Sequence, residues 1–164
     1  MSRTATRTQL VIANVALVLI VLFALAGLAL HGLSAETKTR VWQSLLERPG
    51  GPMTFRFILQ PVMAAVMAAI DGIKDARTGS SPYFSALITD PAQRGERLHE
   101  GLVSTSRILI LGLVMDIAYQ LIVLDGFFPG EAAIIAVLLA FIPYLVLRGP
   151  FARVFKWWLG KASA

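Results

Sequence analysis

With 164 residues, 56% of them hydrophobic and only 15% charged, the chain has far fewer charges than the roughly one quarter usual in a soluble domain. The absence of cysteine excludes disulfides, thiolate zinc sites, iron–sulfur ligation and cysteine nucleophiles. Fifteen Lys and Arg against ten Asp and Glu give a net charge of +5 in a chain of mean hydropathy +0.69. In that setting the excess is read as juxtamembrane basic residues that set topology and touch anionic lipid, so no nucleic-acid partner is expected.

The first apolar block, 10–33, has no charge and only Asn14 and His31 as polar breaks. It exceeds the length needed to cross the roughly 30 Å hydrocarbon core. A cleaved signal peptide is the rival reading, since Arg3 and Arg7 precede the block and Leu33-Ser34-Ala35 resembles a cleavage site. The block is too long for a signal-peptide core of about 7 to 15 residues, so an anchor is expected. Asn14 and His31 are read as interface residues or interhelical hydrogen-bonding groups, not ligands. Pro49-Gly50-Gly51-Pro52 then marks a loop, with room for a short helix over Glu36 to Leu46.

The second block, 55–73, has an uncharged centre of only 14 residues, Phe57 to Ile70, which is short enough for a re-entrant segment. Arg56 and Lys74 can snorkel to opposite interfaces and lengthen it. Within it, Ala64, Ala65, Ala68 and Ala69 place small residues four apart on adjacent rows, the pattern by which membrane helices bring their backbones close. The polar stretch 74–107 follows, with Asp90 placed to cap a helix beginning at Pro91. His99 within it is read as part of a solvated face.

The third and fourth blocks, 108–124 and 132–147, are joined by the short turn Asp125 to Glu131, so they form an antiparallel pair. After Arg148-Gly149-Pro150, residues 151–161 read as an amphipathic interfacial helix. There Trp157 and Trp158 suit the headgroup level and Arg153 and Lys156 face the phosphates. The expected architecture is an all-α integral membrane helical bundle forming a single membrane domain over 1–164. It has four transmembrane helices, with three as the alternative, plus the C-terminal amphipathic interfacial helix.

Charge sets the orientation. The 125–131 turn has no Lys or Arg while its flanks hold five and four, so the turn faces away from the cytoplasm and 74–107 is cytoplasmic. Four spans put eleven basic residues inside and four outside, with both termini cytoplasmic; three spans give thirteen and two. Four are preferred because exporting a tail bearing Arg3 and Arg7 is disfavoured.

Asp116 is the only acid in the apolar centre of a block, where an ionised carboxylate costs about 2.5 to 3.5 kcal/mol. Tyr119 and Gln120 lie three and four residues on and share its face, which must point into the bundle. Two readings remain open: a proton or ion site, or a pairing with Arg56 or Gln60 of the second span that locks the packing. Asp71-Gly72, with Ala76-Arg77 beyond it, approaches a motif of lipid headgroup-transfer enzymes. An extra residue separates the two dipeptides and the downstream Gly and Asp pair is missing, so that class is rejected. Asp71 and Asp75, four apart, are too few oxygen ligands for a hard cation and are read as a solvated helix end. No cofactor, metal or catalytic residue is assigned, and the chain is not expected to be an enzyme.

From about Thr54 to Phe155 the chain resembles a group of small bacterial inner-membrane proteins of unassigned activity. The shared runs are Phe55 to Pro61, Asp71 to Phe84, Thr89-Asp90-Pro91, Tyr119-Gln120 and Arg148-Gly149-Pro150. The resemblance implies a helical multi-span architecture and a bacterial inner membrane, and carries over no functional residue. The expected role is helix association, as an accessory subunit of other membrane proteins or as a homo-oligomer in the lipid bilayer. The alternative is a transporter or channel subunit using Asp116.

Overall fold

The computed structural model describes residues 5–32, 39, 42–43, 54–79, 83–123 and 126–162, and these contain helices and no strand. The expected short helix over Glu36 to Leu46 and the Pro49 to Pro52 loop lie largely or wholly outside them. Helix α1 covers Arg7–His31. The Thr6 hydroxyl accepts from the Gln9 backbone N–H while the Gln9 side chain accepts from the Thr6 N–H, at 3.3 and 2.9 Å. This reciprocal box satisfies two donors that the first turn leaves open. The helix stops at Gly32, whose φ of 65° few other residues adopt.

Helix α2, Arg56–Thr78, contains Pro61 near its start and ends against Gly79 in the left-handed region. Its buried positions, Arg56, Gln60, Ala64, Ala68 and Gly72, recur every four residues and trace one stripe along the helix. A short helix α3, Tyr83–Thr89, leads to α4, Pro91–Val123. As the spacing predicts, Asp90 accepts from the backbone N–H groups of Ala92 and Gln93. The 33 residues of α4 make a helix of about 50 Å, longer than the roughly 30 Å apolar core of a bilayer.

After the turn at Gly126 to Phe128, α5 (Pro129–Ala136) passes through a π turn at Val137–Phe141 into α6 (Ile142–Ala162). The widened turn immediately precedes Pro143, which has no N–H and whose ring would crowd the preceding carbonyls. The separate amphipathic tail expected over 151–161 is not separate: α6 runs unbroken through Arg148-Gly149-Pro150. The helix can continue because its packing against α2 holds this stretch in line. Gly72 fits against the Arg148 carbonyl and the Ala152 nitrogen, which a Cβ would reach at 3.1 and 2.9 Å.

Among the described residues, four helices are long and apolar enough to cross a membrane: α1, α2, α4 and the α5–α6 unit. Cross-helix contacts set their directions. Arg56 meets Asp116 and Asp71 meets Ser104, so α2 and α4 are antiparallel. Asp71 meets Tyr144 and Asp75 meets Arg148, so α2 and α6 run together. Helix α1 ends beside the 126–128 turn, where Phe23 packs edge-on to Phe127 and His31 lies against Phe128. A Cβ on Gly27 would collide with the Gly130 backbone, so the crossing of α1 and α5 depends on two facing glycines.

The core is narrow and rich in alanine, with Ala64, Ala68, Ala136 and Ala140 around Leu109, Leu113 and Tyr144. Only 11% of the most apolar stretch of α1 is covered, against 28% to 44% for the other three long helices. The bundle is therefore a tight α2–α4–α5–α6 core with α1 attached along one side.

Candidate functional site

Polar side chains inside the core gather in two layers. The first lies at the end bearing the 126–128 turn. Arg56 and Asp116, 1% and 0% exposed, form an ion pair at 2.8 Å. The Gln120 amide donates to the other Asp116 oxygen at 2.5 Å and to the Phe128 carbonyl at 3.1 Å, while its own oxygen accepts from the Phe128 N–H at 2.6 Å. Gln120 thus ties the buried carboxylate to the backbone of the turn, and α2, α4 and the α5 start are joined through five atoms of hydrogen-bonding side chain. Tyr119 is buried on the same side of α4.

Gln60 is also fully buried, yet neither amide atom has a hydrogen-bond partner among the described residues. It sits one turn below Arg56 against Gly112, where a Cβ would come within 2.5 Å of its nitrogen. The expected alternatives for Asp116 are therefore separated: Arg56 reaches it and Gln60 does not bond to it.

The second layer lies at the α3 end. Arg148, 1% exposed, donates through Nε and Nη2 to both oxygens of Asp75 at 2.7 and 2.9 Å. The same guanidinium reaches Glu100 at 2.8 Å and the Tyr144 hydroxyl at 2.8 Å. Its carbon stands 4.1 Å from the centre of the Tyr83 ring, a stacking that a planar cation favours. Tyr144 and Ser104 donate to one oxygen of Asp71 at 2.9 and 2.6 Å, and Lys74 to the other at 2.5 Å. The Tyr83 hydroxyl donates to the Arg97 carbonyl, and burial pushes this phenol up to about 12.

Asp71 and Asp75 are thus not a solvated helix end: they are 4% and 6% exposed. Their burial has a signal in the sequence. Asp71 and Asp75 are four apart on α2, and Tyr144 and Arg148 are four apart on α6, so two complementary pairs lie on matching rows. Their opposition required knowing that the two helices run parallel. No group of three or more His, Asp or Glu among the described residues is placed to hold a metal ion.

Between the layers lie about 18 to 22 Å of helix, from the twelve helical steps between Ser104 and Asp116 and the fifteen between Arg56 and Asp71. The filling is largely apolar: Ala64, Ala68, Leu109, Leu113 and Ala140. Thr105, at its edge, bonds back to the Gly101 carbonyl at 2.8 Å.

The remaining sequence-selected residues divide by exposure. Ala64 and Ala68 are 0% exposed and belong to the core, whereas Ala65 and Ala69 keep part of their surface outside. Trp157, Trp158, Arg153 and Lys156 are exposed on the last turns of α6, His99 is exposed on α4, and Asn14 is exposed on α1. Comparison of the chain with family models, with curated proteins and with solved structures gave no match.

Proposed function

We propose that this chain is a non-enzymatic, multi-pass protein of a bacterial inner membrane that acts by helix association, as an accessory subunit or as a homo-oligomer. Both termini and the 74–107 segment face the cytoplasm, as the distribution of Lys and Arg favours. The observation that carries the reading is that the two buried arginines each close on a buried aspartate. Arg56 with Asp116, and Arg148 with Asp75, act as struts between helices, and a mainly apolar layer separates the two sets. A transported ion at Asp116 would have to displace Arg56 and Gln120 and then cross that layer, so the transporter reading is the weaker one.

The test is purification in mild detergent followed by mass measurement. A reproducible species heavier than the 17.8 kDa chain is expected, whether from copies of the chain or from a co-purifying subunit. A bare monomer in detergent and in lipid nanodiscs would overturn the proposal. Reporter fusions at Gly50 and Gly126 should both read as exported; a cytoplasmic signal at Gly50 would instead select three spans.

A further inference from the structure

The exposed face of α1, apolar almost throughout, carries one polar residue that covering by lipid alone does not require, Asn14. Val11, Asn14, Val18, Val21, Leu25 and Leu28 follow one another at alternating steps of three and four residues. Each is exposed, the five apolar ones by 45% to 58%. The helix's buried residues, Ala13, Ala16 and Gly27, lie towards the opposite side. A three-four alternation holds a straight seam only on a helix that supercoils with a partner. An amide facing acyl chains gains no hydrogen bond, so Asn14 picks out this line of the helix.

We infer that α1 is a self-association helix, and that a second copy of this chain packs against it in parallel with Asn14 opposite Asn14. The carboxamide selects the occupant. It both donates and accepts, so two copies related by a two-fold axis satisfy each other in one symmetric contact. A single polar residue within a seam of Val and Leu is the device that fixes register and pairing in coiled coils. From Val11 to Leu28 the seam runs about 26 Å, close to the depth of the apolar layer. Among the described residues, the other long helices sit behind α1, held by the Gly27–Gly130 crossing.

This inference rests on the association reading and names its surface. It moves the contact away from the alanine rows of α2, where Ala64 and Ala68 are enclosed. The chain contains no cysteine, which makes a scan direct: single cysteines at each position from 11 to 28, oxidised in native membranes. Cross-linked dimer should peak at 11, 14, 18, 21, 25 and 28 and be weak at Val15 and Ala24. Asn14→Leu should weaken dimerisation of the cysteine-free chain in lipid about threefold to thirtyfold, the range of one interhelical amide contact, and Asn14→Gln should restore most of it. A flat scan, or Asn14→Leu dimerising like the parent, would overturn the inference. If the parent still shows a heavier species in either case, association stands and its surface lies elsewhere; a monomeric parent removes both.

Discussion

The Arg56–Asp116 pair can be tested by removing its members singly and together. An ionised Asp or Arg costs about 2.5 to 3.5 kcal/mol at the centre of a membrane helix and less towards its end, where Arg56 stands, so the two together cost at most about 5 to 7. Their attraction at a charge separation near 4 Å, with an effective dielectric near 20, contributes about 4 kcal/mol. The Gln120 hydrogen bond to the carboxylate adds about 1.5 to 3. The terms nearly cancel, so the assembled cluster sits close to energetic neutrality, and breaking it is what costs.

Arg56→Met removes the guanidinium from a buried, charged Asp116, and stability should fall by about 3 to 5 kcal/mol. Asp116→Leu should cost less, because Arg56 stands in the first turn of α2 and its long side chain can turn out to the surface. The double variant should be more stable than Arg56→Met by about 2 to 3 kcal/mol, since no orphaned carboxylate remains. The assay is equilibrium unfolding in mixed micelles of mild detergent and dodecyl sulfate, followed by helical circular dichroism. A double variant whose loss equals the sum of the single losses to within about 0.5 kcal/mol would refute the coupling.

Arg148→Lys should destabilise the α3 end by about 2 to 3 kcal/mol, because an ammonium cannot hold both oxygens of Asp75, Glu100 and Tyr144 together; the same unfolding assay measures it. Tyr83 has a pH signature. Its phenol lies at about 12 in the fold against 10.0 ordinarily, so the neutral form is favoured and its contribution is complete below pH 10. That contribution should be lost as pH rises from 10 to 12, and Tyr83→Phe should lack this component in an alkaline melting series. Gly27→Leu should part α1 from α5. Cysteines replacing Phe23 and Phe127, whose rings are 6.0 Å apart, should be joined by a bifunctional thiol cross-linker with Gly27 present and poorly without it.

Several features were legible in the sequence because their causes are local. The charge-free block at α1 and the Asp90-Pro91 start of α4 each depend on residues within a few positions. A helix satisfies its own backbone four residues away, so apolarity and capping suffice to place it. The inward direction of Asp116, Tyr119 and Gln120 followed from the cost of a carboxylate in lipid. The continuity of α6 was hidden, since Arg148-Gly149-Pro150 is locally a stopping signal and the opposing force comes from α2.

By itself, then, the sequence determined which stretches are helical and oily and that a few charges among them needed partners. Only the tertiary structure decided who the partners are: Arg56 for Asp116 across 60 positions, and Arg148 for Asp75 across 73. It also decided that Asp71 and Asp75 are enclosed, that one alanine row of α2 is core, and that most of α1 stays uncovered. The physical reason is range. Hydrogen bonding within a helix reads its own neighbours, whereas the burial of a face depends on which distant helix lies over it and in which direction that helix runs.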